Sequence, residues 1–103
     1  MELAPAIREE DTGWQTLNAT YGAYYRCKNG VVYINCKYNG VIAGGTELGT
    51  LPNNFRPTYV TMFPNYNGGS FSDSIYMQIL TDGKVNIMGD GTKWIRIAGS
   101  YPV

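Results

Sequence analysis

The sequence predicts an all-β domain of about eight strands with no significant helix, arranged as a Greek-key sandwich or jelly-roll-like β-barrel. Three observations carry that expectation. Asn-Gly or Asp-Gly occurs at 29–30, 39–40, 67–68, 82–83 and 90–91, and these pairs accept the positive φ angles of tight hairpin turns. The runs between them are short and rich in Val, Ile and Tyr, with apolar residues alternating at a period of two. Helix signals are nearly absent, because Pro5 interrupts the one candidate stretch, residues 2–10. At 103 residues a single domain is expected.

Residues 1–12 hold Glu2, Glu9, Glu10 and Asp11, half of the eight carboxylates. They read as a linker or lead-in from a preceding part of a longer polypeptide, or as an artificial boundary. Residues 13–103 are the folded domain. Trp14–Leu17 is a short first strand. Ala23–Lys28 and Val31–Tyr38 form a hairpin about Asn29-Gly30, with Lys28 facing Val31, Cys27 facing Val32 and Cys36 facing Ala23. Val32, Ile34, Cys36 and Tyr38 then share the core face with Tyr25 and Cys27. In this register the two cysteines sit about 13 Å apart, beyond the roughly 7 Å Cα limit of a disulfide. Both are expected to be reduced core residues.

Thr46–Leu51 and Thr58–Phe63 follow, bracketed by Pro52, Pro57 and Pro64, which cannot donate to a ladder. Residues 64–72, rich in Asn, Gly and Ser, read as a loop. Ser74–Leu80 points Ile75, Met77 and Ile79 inward and Tyr76, Gln78 and Leu80 outward. A three-residue connection, Thr81-Asp82-Gly83, sets Ile79 opposite Val85 and Met77 opposite Ile87 in Lys84–Met88. Lys93–Ala98 closes the domain, with Ile95 and Ile97 on one face and Trp94 and Arg96 on the other.

Composition narrows the function. Charged residues are 16% of the chain, against about 25% in a typical soluble domain. Nine tyrosines take up much of that share. Tyrosine suits contact surfaces, and it is equally a good strand former. Net charge is zero, and the basic residues are scattered along the chain without a run. Nucleic acid is therefore not an expected partner, and any ligand is expected to be neutral or weakly charged. No apolar stretch is long enough for a membrane span, and the start MELAPAIREED lacks the pattern of a signal peptide.

The chain has no histidine, which excludes Ser-His-Asp and Cys-His devices. A metal site would have to rest on two Cys and carboxylates alone, so neither metal nor cofactor is expected. A glycosidase needs two facing carboxylates. Asp82 and Asp90 are explained by turns, which leaves Glu47 and Asp73 with nothing to bring them together. The expectation is a binding domain, not an enzyme. Its candidate saccharide contacts are Arg96, Gln78, Tyr76, Asn86 and Trp94. Phenol and indole rings can stack on a sugar's C–H face, while planar amide and guanidinium groups bond paired hydroxyls. The same residues could equally make an ordinary polar sheet face or lie between subunits.

Three stretches resemble the receptor-binding head domains of tail-fibre and baseplate proteins from phages of Gram-positive bacteria, the lactococcal type in particular. They are Gly13-Trp14 followed by Leu17, the TLPNNFRP element at 50–57, and the terminal RIAGSYPV at 96–103, similar to R-x-x-G-x-Y-P. VVYINCKY and the DGKVNI hairpin fit the same template. The resemblance implies a homotrimer of β-barrel heads that recognises host cell-wall polysaccharide near the boundary between subunits. It also implies other baseplate or fibre proteins as partners, and a virion location after assembly in the bacterial cytoplasm. The family's contact arginine matches Arg96. Its His-x-Asp strand is Tyr76-x-Gln78 here, and its tryptophan position is Ile87 or Asn86, with Trp94 as a substitute. Three functions follow for comparison: a glycan-binding adhesion head, a structural or protein-docking tip, and an enzyme trimming wall polymer, the last not expected.

Overall fold

The computed structural model describes residues 11–67, 70–89 and 93–103. It is an all-β structure of two four-stranded antiparallel sheets. Among the described residues the strands are β1 (Gln15–Asn18), β2 (Ala23–Lys28), β3 (Val31–Val41), β4 (Thr46–Thr50), β5 (Thr61–Asn67), β6 (Ser70–Ile79), β7 (Lys84–Gly89) and β8 (Lys93–Pro102), with a 3-10 turn at Asn53–Phe55. One sheet runs β1-β2-β3-β8 and the other β4-β7-β6-β5. Among the described residues no helix is long and apolar enough to cross a membrane.

The hairpin at Asn29-Gly30 forms because both residues take positive φ, 52° and 80°, the requirement of a two-residue turn matched to strand twist. Its register is the expected one, with Lys28 opposite Val31 and Cys36 opposite Ala23. Both cysteines are free and buried. The β6–β7 hairpin likewise sets Ile79 opposite Val85 and Met77 opposite Ile87. Alternation in β3, β6, β7 and β8 sends one set of side chains into a shared core, where Val32, Ile34, Ile75, Met77, Ile87 and Ile97 are almost wholly buried.

Three local expectations are corrected. Asn39-Gly40 is not a turn: both residues lie within β3, at a register shift between Tyr38 and Val41. The strand expected from Thr58 begins at Thr61. The loop expected at 64–72 is largely strand, with Asn65 opposite Ser72 and Asn67 opposite Ser70. Pro64 is tolerated because β5 is an edge strand, where a missing N–H leaves no ladder bond unmade. The Asp90-Gly91 pair lies outside the described residues, and the strands flanking it belong to different sheets.

Among the described residues the sheets do not close into one hydrogen-bonded barrel, and asparagine side chains bridge the two seams. Where β1 meets β4, Asn18 Nδ2 donates to the Leu48 carbonyl at 3.1 Å. Where β5 meets β8, Asn65, 1% exposed, accepts the Arg96 N–H at 2.7 Å and donates to the Trp94 carbonyl at 3.4 Å. One amide thus serves a backbone donor and a backbone acceptor that edge strand β8 would otherwise leave unpaired. At one end of the core, the buried Tyr101 hydroxyl donates to the Phe55 carbonyl at 2.6 Å, tying the 50–57 element to the terminal strand. Asp11 and Thr12 already pair with β2, through the Asp11–Lys28 bridge and the Thr12 N–H bond to Cys27.

Candidate functional site: the outer face of the first sheet

The strand register lays out the outer face of β1-β2-β3-β8 in rows. Arg26 stands beside Tyr33, which stands beside Ser100. The next row holds Thr16, Tyr24, Asn35 and Ala98. One row further, Lys37 stands beside Arg96. A groove of about 500 Å³ opens over Asn35, Lys37, Arg96 and Ala98, with Pro64 and Tyr66 of β5 forming its far wall. That volume is within the range of small-molecule sites. β5 reaches this face because the Asn65 seam holds it against β8.

Arg96 is partly buried, and its guanidinium is held in place. Nη1 donates to the carbonyls of Ile95 at 2.8 Å and Tyr38 at 3.3 Å, and Nη2 donates to Asn39 Oδ1 at 2.5 Å. The Asn39-Gly40 irregularity in β3 therefore supplies an acceptor that an uninterrupted strand would not place there. Trp94 stands beside it with φ of 68°, a conformation uncommon for a bulky residue, and its ring lies 5.7 Å from the guanidinium carbon. A guanidinium fixed by three acceptors points its remaining N–H groups without further ordering, which lowers the entropic cost of binding.

A smaller hollow of about 250 Å³ lies on the same face, lined by Trp14, Arg26, Lys28 and Tyr33. Arg26 donates to Asp11 through Nε and Nη2, and it sits 5.9 Å from the Trp14 ring centre. The Arg26 guanidinium, with the Gly13 N–H, holds the Asp11 carboxyl well below the usual carboxylate range.

The five sequence-derived contacts divide between two faces. Arg96 and Trp94 adjoin one another on this face. Tyr76, Gln78 and Asn86 are partly buried on the outer face of the other sheet, where Gln78 lies between Asn86 and Met62. Edge strand β5 stands between that group and β8, so the five do not form one site. Arg26, Lys28, Lys37 and Arg96 are scattered in sequence, yet register and alternation bring all four to one face. Sequence reasoning passed over Asn35, Lys37, Pro64 and Tyr66, and the Trp14–Arg26–Tyr33 cluster. The hairpin register already placed Arg26 beside Tyr33, so part of that signal was present. Among the described residues no group of Cys, Asp or Glu could hold a metal ion. No protein-family model matches the chain, and no curated protein is detectably similar to it in sequence.

Proposed function

We propose that this chain is a non-catalytic receptor-binding head of a phage tail fibre or baseplate protein, holding host cell-wall saccharide in the groove over Arg96. The observation that carries the saccharide reading is the groove's chemistry: a pinned guanidinium, the Asn35 amide and the Tyr66 ring around about 500 Å³. Planar donors pair with vicinal hydroxyls, and a ring offers a stacking surface for C–H groups. Amide, phenol, ammonium and guanidinium groups line it, a set suited to holding and poor for the paired-carboxylate chemistry of glycoside cleavage. The phage assignment rests on the resemblance across residues 13–103. The 50–57 element and the terminal strand meet through Tyr101 and Phe55, so these motifs speak for a shared fold more than a shared ligand. The long return from β4 to β5, which sets β4 beside β7, supports reading that half as a Greek-key unit. A homotrimer on a virion would multiply a weak site through effective concentration.

The test is retention of the 103-residue chain on immobilised bacterial wall polysaccharides. The wild type is retained, and Asn35→Ala and Tyr66→Ala each weaken binding at least about fivefold, near 1 kcal/mol, with unchanged melting temperature. Binding that is the same in both variants contradicts the groove. A protein-docking tip is the second reading. It is favoured by Tyr59, Val60 and Met62, exposed at 79%, 49% and 58%, and it predicts no retention on any polysaccharide.

A further inference from the structure

Strands β3 and β8 break their ladder at one place, and several departures from ordinary strand structure meet there. Tyr38 pairs with Ile95 and Val41 with Lys93, so Asn39 and Gly40 of β3 face Trp94 of β8 alone. This is a two-against-one β-bulge, a device that re-aims side chains. Trp94 takes a φ of 68°, which is strained for any residue with a Cβ and relaxed only for glycine. Its indole is also left 46% exposed. Such strain persists only where the surroundings over-determine it, and here they do so from both sides. The Trp94 carbonyl accepts from the buried Asn65 amide at 3.4 Å. Across the bulge only glycine fits at position 40, because a Cβ there would fall 2.7 Å from the Tyr38 ring.

The product of this arrangement is a fixed guanidinium. The bulge carries Asn39 Oδ1 to Arg96 Nη2, and the Trp94 ring lies 5.7 Å from the guanidinium carbon, within cation–π reach. Arg26, on the same face, is fixed by the Asp11 carboxylate. The bonds described for Arg96 run instead to neutral acceptors, two carbonyls and one amide, and none of them uses Nε–H. The Trp94 ring is not among the groove walls. We infer that Asn39 and Trp94 are positioning residues: the bulge and the strained tryptophan opposite it set the Arg96 guanidinium at the groove before a ligand arrives. The inference rests on the saccharide reading for what is bound, and it adds a role for the strain. Trp94 acts through Arg96 and is not the stacking surface expected from the sequence.

Two measurements on the intact chain separate this role from a structural one. The first needs no ligand. In a ¹H–¹⁵N spectrum of arginine side chains, a pinned guanidinium gives separate Nη–H signals because its rotation is hindered, and a free one gives merged signals. Arg96 should give separate signals in the wild type and merged ones in Asn39→Ala and Trp94→Ala. Asn39→Asp, which keeps an acceptor oxygen, should keep them separate. The second is retention on immobilised wall polysaccharides, where Asn39→Ala and Trp94→Ala should each bind at least about fivefold more weakly. Trp94→Gly, relaxed at that φ, should be about fivefold more stable in the unfolding equilibrium than Trp94→Ala and bind no better. It also serves where Trp94→Ala fails to fold. Merged signals in the wild type, or separate ones in both alanine variants, overturn the inference. Unchanged retention alongside merged signals overturns it too, because the guanidinium's position would then not matter to the ligand. If no polysaccharide retains the wild type, the saccharide reading falls, and merged signals in the variants still uphold the clamp on Arg96.

Discussion

The outer face of β1-β2-β3-β8 gathers Arg26, Lys28, Lys37 and Arg96 among exposed aromatic rings, whereas the outer face of β4-β7-β6-β5 sets Glu47, Asn86, Gln78 and Met62 in a single row. Both faces obey the same alternation, polar outward and apolar inward. What separates them is lateral: which strand stands next to which. On the second face the two amides are neighbours, flanked by a thioether and a carboxylate. On the first, cations and rings border hollows, and the guanidinium of Arg96 is fixed by backbone carbonyls. A sheet face becomes a site when cross-strand neighbours converge on a cavity, and outward polarity alone does not supply one.

The largest expected effect comes from removing the support beneath the first face. Ile97, buried at 2% exposure under the groove, packs in the shared core, and Ile97→Ala is expected to cost about 2–5 kcal/mol in urea unfolding. A loss below about 1 kcal/mol would mean that the sheets pack more loosely than described. Next is Asn65→Ala. It leaves the Arg96 N–H and the Trp94 carbonyl unpaired, at an expected cost of about 1–3 kcal/mol. Saccharide binding should fall with it, because β5 loses its hold on β8. Unaltered binding in that variant would detach the β5 wall from the site.

A smaller effect sets the faces against each other. Tyr66→Ala should weaken saccharide retention by about 1 kcal/mol, and Gln78→Ala should leave it unchanged. The reverse result would move the site to the second sheet. The smallest effect concerns Asp11. Its folded pKa is depressed by Arg26 and the Gly13 N–H, so its contribution is present above the ordinary carboxylate pKa near 3.8 and is lost as pH falls through the lower folded value. Acid titration followed by tryptophan fluorescence should show a change near Trp14 below about pH 4, absent in Asp11→Asn. Alkylation tests the thiols separately. Burial pushes the Cys36 thiol up to about 11, so iodoacetamide at pH 8 should leave it unmodified in the folded chain.

Local pairings were legible in the sequence and distant ones were not. Asn29-Gly30 fixed the β2–β3 register, and the Ile79/Val85 and Met77/Ile87 matches fixed β6–β7, because a short turn leaves few alternatives. The same dipeptide misled at Asn39-Gly40, where β8 pairs across it and the irregularity is absorbed within β3. Pro64 read as a break because nothing nearby in sequence says that β5 is an edge. The β3–β8 pairing joins Lys37 to Arg96 across 59 positions (96 minus 37), with no turn to specify it. Alternation correctly put Trp94 and Arg96 on one outer face and Tyr76 and Gln78 on another. Only the order of strands shows that these are different faces, and that Lys37, Asn35 and Tyr66 are the neighbours of Arg96.

Backbone amide shifts in a ¹H–¹⁵N spectrum, recorded as a bound wall polysaccharide is added, locate the ligand most directly. Shifts concentrated at Asn35, Lys37, Arg96 and Ala98 are the expected result. Shifts concentrated at Tyr76, Gln78 and Asn86, with the first sheet unmoved, would contradict a saccharide site on β3 and β8.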